Sequence, residues 1–193
     1  MNIGTRSVLF GVHQFLLHPL LVAVAWWRLY GFPWDARLWA AFVVHDLGYV
    51  GKPNMDGPEG ERHVDLGAAV MGRLFGEEWG DFCRYHSRHR ARRDGARFSR
   101  LAVADKYVIA CEPWWFYLPR AALSGELREY VMRARRRCAA SENVSPEERM
   151  EILSGSSVRW YCGVQRYMGR WVSSHRAGEA DTWTPLINGA GPA

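Results

Sequence analysis

The stretch Val43-Val44-His45-Asp46-Leu47-Gly48-Tyr49 places an adjacent histidine and aspartate at the end of an apolar run that a glycine stops. Other histidines and aspartates recur on both sides of it, each opening or closing its own helical segment. Imidazole nitrogens and carboxylate oxygens at such positions can enclose one or two divalent metal ions. The sequence therefore predicts a metal site around His45 and Asp46. The other candidate ligands are His18, His63, His86 and Asp105.

The composition is that of a globular protein. The 193 residues suit one domain with a substantial core, and 48% of them are apolar. The net charge is +5 and nearly all basic residues are arginines, which suits phosphate or carboxylate ligands, although a GC-rich genome gives the same bias. The four cysteines are scattered without a CxxC pair, which indicates reduced thiols and a cytoplasmic protein.

Helical periodicity runs through nearly the whole chain, and no stretch alternates like a strand. We predict an all-α fold: a single helical bundle over residues 1–174 with the metal site in its core, then a loose tail at 175–193. A Gly- and Pro-rich loop is expected at 49–61. The predicted helices are 8–30 (broken or restarted at Pro19), 35–47, 62–75, 78–90, 98–111, 126–140, and a last helix from the N-cap Ser145 to about residue 173.

The apolar segment 15–27 needs a separate interpretation. Ala23-Val24-Ala25 resembles a signal-peptidase site. However, polar residues interrupt the segment, and it is shorter than the ~20 residues of a membrane span. A buried core helix is therefore predicted, and no membrane partner is expected.

The motifs resemble those of the HD-domain superfamily of metal-dependent phosphohydrolases over residues 13–112. His45-Asp46-Leu47-Gly48 looks like the signature motif of that superfamily. The other pieces follow in the family's order: His18 with Val22 and Ala23 on the first ligand helix, His63 four residues before Gly67-Ala68, then Tyr85-His86, and Asp105-Lys106-Tyr107. The chain is also similar to uncharacterised HD proteins that share its Gly-Lys-Pro-Asn-Met-Asp-Gly stretch, and these supply no substrate.

The resemblance implies a dinuclear metal centre. In it Asp46 bridges two divalent ions, one held with His18, His45 and Asp105 and the other with His63 and His86. The ligand types suit Fe, Mn, Ni, Co or Zn without choosing among them. The implied reaction is metal-assisted hydrolysis of a phosphate ester of a nucleotide or small metabolite.

Two other functions remain open at this point. A branch of the same superfamily uses the same ligand set in a mixed-valent di-iron oxygenase that acts on small phosphonates or polyols. A non-catalytic binding module is disfavoured, because no expected ligand is missing. The expected partner is a small anionic, phosphorylated substrate. Nucleic acid is not expected, since no recognised aromatic–basic interleaving is present, and the oligomeric state stays open.

Four residues are candidates for contact with the substrate. Arg88 and Arg90 follow His86 closely in an arginine-rich stretch, so at least one is expected near the metals beside an anionic oxygen. Lys52 and Glu61 belong to the loop 49–61, which separates two ligand segments and is either a lid or an ordinary polar loop.

Several histidines have competing interpretations. His63 and His86 could serve as acid or base at a single-metal site. His18 precedes a proline, which disfavours a helical conformation there, so His18 could instead be an N-cap-like residue with Pro19 at the first helical position. His13 and His89 compete as pocket residues, and the aromatic segment 113–118 is expected in the core.

Overall fold

The structure, a computed structural model, describes residues 1–178 and Trp183. Within that part of the chain there are eleven α-helices and no strand, which confirms the predicted all-α fold. Two short 3₁₀ turns, Leu47–Tyr49 and Gly60–His63, precede α4. The helices are α1 (Ile3–Phe10), α2 (Leu17–Tyr30), α3 (Ala36–Val44), α4 (Val64–Phe75), α5 (Glu77–Arg84), α6 (Arg88–Arg93), α7 (Arg100–Cys111), α8 (Trp114–Ser124), α9 (Glu126–Ala140), α10 (Pro146–Ile152) and α11 (Ser157–His175).

Helix α7 is the centre of the fold. It packs against α2, α5 and α11. Its residues from Leu101 to Ala104 are all completely buried. Four successive helical residues point in different directions, so this helix is covered on every side. Asp105 comes next on the same helix, and the packing therefore fixes this carboxylate deep inside the protein.

Two hydrophobic clusters make up most of the core. The first is built largely on α2, α3 and α7 and contains Phe42 and Trp171. The second joins α8, α9, α10 and α11 and contains Tyr117 and Trp160. Helix α11 contributes to both clusters, because Trp160 and Trp171 lie near its two ends. The C-terminal helices therefore share a core with α7.

The first helix break lies at residues 11–16 and not at Pro19. The side-chain oxygen of Gln14 accepts the backbone N–H groups of Leu16 at 3.0 Å and Leu17 at 2.6 Å, and so caps α2. Pro19 lies in the first turn of α2, where a missing N–H breaks no helical hydrogen bond. His18 is consequently helical, and the expectation of an N-cap-like position for it is wrong.

Two predicted helices are each divided. Residues 85–87 separate α5 from α6, and Ser87 begins α6 by accepting the Arg90 N–H at 3.2 Å. Residues 153–156 separate α10 from α11, where Ser156 caps the new helix. The predicted tail at 175–193 falls mostly outside the described residues, and α11 runs to His175 itself.

Helix α2 is a core helix on one face only. Val22 and Trp26 are buried, whereas Leu20, Val24 and Trp27 are exposed. The prediction of a buried core helix therefore holds for half of its surface. Among the described residues, no helix has both the length and the apolar character that a membrane crossing requires.

The aromatic segment 113–118 is also divided between core and surface. It begins α8, and Tyr117 and Leu118 are buried there as expected. Trp114 and Trp115 are 46% and 62% exposed, so the expectation of a core position is wrong for the two tryptophans.

The start of α10 yields a test of the fold. Ser145 Oγ accepts the Glu148 N–H at 3.2 Å, while a Glu148 carboxylate oxygen accepts the Ser145 N–H at 2.9 Å. We expect Ser145→Ala to lower the free energy of unfolding by about 1 kcal/mol, because it leaves a helix N–H without its cap. Urea denaturation measures this. Ser173→Ala on the exposed face of α11 is the control, and an equal loss in both variants would contradict the assignment.

Candidate metal centre

All six predicted ligands meet in the interior. Each side chain is held by a different local feature. His18 lies on α2, His45 ends α3, Asp46 precedes the first 3₁₀ turn, and His63 ends the second. None of the six residues is more than 7% exposed; the remaining two are His86, between α5 and α6, and Asp105 on α7.

The two oxygens of Asp46 face different partners. Oδ2 lies 3.1 Å from His45 Nε2 and 3.2 Å from His18 Nε2. Oδ1 lies 3.3 Å from His86 Nε2 and 3.7 Å from His63 Nε2. Helix α3 ends at Val44, and the backbone departs from helical geometry at Asp46, where ψ is −3°. This departure allows two adjacent side chains to reach one place.

The ligand atoms accordingly form two groups that share Asp46. One group contains His18, His45, Asp46 and Asp105, and within it the donor atoms lie within 4.8 Å of one another. The other contains Asp46, His63 and His86, whose donor atoms also lie within 4.8 Å of one another. Each group could hold a metal ion, and the division matches the one that the resemblance implies.

Three of the histidines have a fixed tautomer. In each, Nδ1 contacts the backbone carbonyl of the residue three positions earlier, at 2.9 Å for His45, 2.7 Å for His63 and 2.5 Å for His86. A carbonyl oxygen can only accept, so Nδ1 carries the hydrogen and Nε2 of the neutral ring carries a lone pair. All three Nε2 atoms are therefore oriented as metal-ligating atoms usually are.

Several buried polar atoms at the centre have no hydrogen-bond partner. They include Nε2 of His18, Nε2 of His45 and Oδ2 of Asp46. In addition, Nε2 of His63 and Nε2 of His86 lie 3.0 Å apart, so two lone pairs face each other when both rings are neutral. Such atoms are costly to bury without a partner. A divalent cation fits this arrangement, because it would satisfy all of them together.

The charges at the centre favour ligand-competent carboxylates. Burial opposes ionisation of Asp46, but the neighbouring His45 and His13 outweigh it and hold its pKa well below the usual range. The pKa of Asp105 also lies well below the usual range, because Lys106 and His18 outweigh the opposing effect of burial. Both carboxylates are thus ionised over a wide pH range, as metal binding requires.

The imidazoles are shifted in opposite directions. Burial lowers the pKa of His63, the adjacent His86 lowers it further, and it reaches about 3. Burial would also lower the pKa of His18, but the carboxylates of Asp105 and Asp46, each 3.2 Å from its Nε2, overcome this and raise it to about 9. The pocket between Asp46 and Asp105 therefore attracts positive charge, whether a proton or a metal ion.

Two glycines allow the ligand-bearing segments to touch. A Cβ added to Gly48 would overlap the backbone carbonyl of His63. A Cβ at Gly67 would lie 2.9 Å from the Val44 carbonyl oxygen and 3.1 Å from the Cα of His45. These neighbours are backbone atoms, which cannot rotate away. The glycines after His-Asp and after His63 are thus needed for the two segments to meet.

Tyr49 takes the position at which many HD hydrolases carry lysine. Its ring stacks on the His63 imidazole, with centroids 4.0 Å apart and planes 8° from parallel. Burial, followed by the charge of Asp46, raises its pKa well above 10. Tyr49 is therefore uncharged, and its stacked ring fixes the orientation of the His63 imidazole.

A buried carboxylate extends the centre beyond the six predicted ligands. Glu126, at the start of α9, is completely buried. It accepts hydrogen bonds from the Ser7 hydroxyl at 2.6 Å, the Tyr130 hydroxyl at 3.0 Å and His13 Nδ1 at 3.0 Å. The Nε2 atom of His13 lies 3.9 Å from Asp46 Oδ2. His13 is thus tied to the metal centre on one side and to Glu126 on the other.

Two of the four predicted substrate-contact residues adjoin the centre: Arg88 lines the cavity beside the ligands, and Glu61 lies outside that lining in the 3₁₀ turn that carries His63. Arg88 is buried, and its guanidinium carbon lies 4.1 Å from the ring centroid of Trp171. Glu61 pairs with Arg133 at 2.7 Å and accepts from the Ser87 hydroxyl at 3.3 Å. This ion pair therefore connects Glu61 to α9.

The structure does not bring the other two to the centre. Arg90 pairs with Asp94 at 2.6 Å and with Asp65 at 3.3 Å. Lys52 is not among the described residues that line the cavity beside the ligands. His89 is exposed. Helical geometry separates Arg88 from Arg90, because residues two apart point about 200° apart.

The loop 49–61 is anchored to α9. Met55 is buried, and its N–H bonds a carboxylate oxygen of Glu129 at 2.8 Å. Asp56 forms an ion pair with Arg133. The loop thus contributes to the wall between the metal centre and the C-terminal helices.

A cavity of about 200 Å³ opens beside the ligands. Its lining includes His13, His18, Tyr49 and Asp105 at the metal centre. Three arginines, at positions 88, 133 and 137, also line it. The cavity therefore gives a small anionic molecule access to the first ligand group.

No protein-family model, curated protein or solved structure matches the chain. Membership of the HD-domain superfamily accordingly stays a prediction, carried by the motifs and by the geometry of the six side chains.

The backbone contact at Gly48 can be tested. We expect Gly48→Ala to lower the free energy of unfolding by about 3 kcal/mol, because the new methyl group has no room beside the His63 carbonyl. Gly169→Ala is the matched control, since nothing lies within 4 Å of its added Cβ in α11, and it should stabilise slightly. Thermal and chemical denaturation measure both; an unaffected Gly48→Ala variant would show that the close approach is not required.

Proposed function

We propose that this chain is a metal-dependent phosphohydrolase that cleaves a phosphate ester of a nucleotide or small metabolite at a centre of two divalent metal ions. The observation that carries the proposal is the division of the six ligands into two groups sharing Asp46. When bound, two such ions would supply a water of lowered pKa as nucleophile and stabilise the charge that develops on the phosphoryl oxygens.

The ligand residues are pre-organised for this role. His18, His45 and Asp105 would hold one ion together with Asp46, and His63 and His86 the other. The carbonyl contacts of three rings hold their Nε2 atoms toward Asp46 before any ion arrives. The burial of all six side chains limits competing water.

The arginines beside the centre suit an anionic substrate. Arg88, Arg133 and Arg137 line the same cavity as the ligands His18 and Asp105. A guanidinium group offers paired donors that match two phosphate oxygens. These residues would hold the phosphoryl group against the metal centre.

His13 is placed to move a proton. Because the Glu126 carboxylate can only accept, Nδ1 of His13 carries a hydrogen. Burial opposes ionisation of Glu126, but hydrogen bonds from His13 and other donors keep its pKa below the usual range. In its protonated form, His13 would give the proton on Nε2 to the ester oxygen as the P–O bond breaks, so that the alcohol leaves neutral.

Metal content tests the central part of the proposal. We expect two divalent ions per chain by elemental analysis of protein purified without chelator, and loss of both in Asp46→Ala, because both groups depend on that carboxylate. His89→Ala, on the exposed face of α6, should keep both. One ion or none in the unchanged protein would refute the dinuclear centre. Manganese, nickel or cobalt with turnover of a phosphate ester supports the hydrolase, whereas iron with an EPR signal from a half-oxidised pair would identify an oxygenase instead.

The proton transfer predicts a dependence on the leaving group. We expect His13→Ala to keep both metal ions but to lower the hydrolysis rate of an alkyl phosphate by about 10²–10⁴-fold. Its effect on p-nitrophenyl phosphate should be much smaller, because nitrophenolate leaves without a proton. Steady-state kinetics with both substrates measures the difference. An equal loss on both substrates would argue against His13 as the proton donor.

A further inference from the structure

Three helices each give one face to the cavity. The lining residues of α7 run from Asp105 to Glu112, and those of α9 start at Tyr130. On α11 they run from Trp160 to Met168, a helical distance of about 12 Å. Met168 lies at the metal end, since its sulfur is 4.0 Å from a guanidinium nitrogen of Arg88. Trp160 therefore marks the end of the cavity that is remote from the metals.

The remote end is mainly apolar. Val144, Ile152 and Trp160 are buried there, and all belong to the second hydrophobic cluster. The partly buried Val164 packs on that cluster and lines the same wall. Among the residues that line this end, Trp160 Nε1 and one oxygen of Glu112 are buried without a hydrogen-bond partner. A molecule that enters this end meets mostly hydrocarbon.

The cavity also contains a cation that forms no ion pair within the described part of the chain. Among the described residues Arg137 has no ion pair and no hydrogen bond, and its Nε is buried without a partner. Arg133, one turn earlier on the same face of α9, is already paired with Asp56 and Glu61. Burial and then the charge of Arg133 lower the pKa of Arg137 to about 10. An anion at this place would give Arg137 the partner that the chain itself does not supply.

The size and walls of the cavity argue against a nucleoside. An apolar cavity of roughly 150 Å³ holds one benzene ring, and this cavity is only moderately larger at about 200 Å³. The base and ribose of a nucleotide carry many polar atoms. Each of them would lose water at the remote end, where few partners are present.

We infer, building on the proposed phosphohydrolase, that the substrate is the phosphate monoester of a small alkyl or aryl alcohol. Its phosphoryl group lies between the metal ligands and Arg137. Its apolar group extends along α11 toward Trp160. Nucleotides are excluded by the apolar walls of the remote end.

A series of non-hydrolysable ligands tests this inference. Methyl-, butyl-, hexyl- and phenylphosphonate, inorganic phosphate and AMP are titrated by calorimetry into manganese-loaded and into chelator-treated protein. We expect the affinity to rise about fourfold for each added methylene until the cavity is full, and phenylphosphonate to bind more tightly than AMP. No dependence on chain length, or tightest binding of AMP, would overturn the inference.

Matched variants locate the two ends. Val164→Phe fills the apolar end and should abolish the chain-length dependence while inorganic phosphate binds as before. Val158→Phe, at an exposed position of the same helix, should leave the dependence intact. Arg137→Met should weaken every phosphonate at least tenfold, whereas Arg136→Met, at an exposed position of α9, should not. Retention of the full chain-length dependence in Val164→Phe would contradict the assigned position of the apolar group.

The outcomes separate this inference from the proposed function. Metal content is measured on the same preparations. Absence of metal ions would refute the dinuclear centre. The affinities of the phosphonates for chelator-treated protein would still show whether the apolar site is present. If two metal ions are present but the affinity does not depend on chain length, the proposed substrate class is rejected and the dinuclear centre is retained.

Discussion

The structure depends on keeping an ionised carboxylate, Asp46, buried at the centre of a helical protein. A buried charge is costly unless its surroundings compensate it. Here four imidazoles surround the two carboxylate oxygens, and a second carboxylate, Asp105, lies across from His18. The closeness of these groups requires the end of α3 at Val44, the backbone contact at Gly48 and the burial of residues 101–105 on α7. The local geometry of the N-terminal half therefore follows from one electrostatic requirement.

Helix α9 connects that centre to the rest of the protein. Its first residue, Glu126, holds His13, and two turns later Arg133 holds Glu61 and the loop residue Asp56. One turn further, Arg137 lines the cavity. These side chains follow one face of the helix at intervals of three to four residues. A single helix that lies outside the recognised motifs thus contacts His13 and the loop 49–61 and lines the cavity.

The six ligands could be predicted from sequence because each lies in a short local pattern. The His45-Asp46 pair and His63 are each followed by a glycine that permits close contact. His18, His86 and Asp105 are identified by short motifs that resemble those of the HD-domain superfamily. Glu126 could not be predicted this way. It is an acid in the first turn of a helix, and such residues ordinarily need only the helix dipole to explain them. Its partners Ser7 and His13 are more than one hundred residues away in sequence, so only tertiary packing identifies it.

The errors at helix boundaries have a similar cause. The apolar periodicity of 78–90 continues through the break that contains His86, and the signal for the break is a single serine, Ser87, which also fits a helix interior. The choice between Arg88 and Arg90 likewise depended on which face of α6 turns inward. Periodicity gives the relative directions of residues on a helix, but the neighbouring helices decide which direction is inside.

The charges of the proposed complex argue for a link between catalysis and substrate choice. Two divalent ions would bring four positive charges to the two carboxylates of Asp46 and Asp105, leaving an excess of two. A phosphate monoester carries about that much negative charge near neutral pH, by analogy with a phosphorylated side chain. Arg137 lines the same cavity, where its positive charge would contact the phosphoryl oxygens without competing for the ligands. The same phosphoryl group would then neutralise the metal centre and also contact Arg137, and only its apolar substituent would be left to fill the remainder of the cavity.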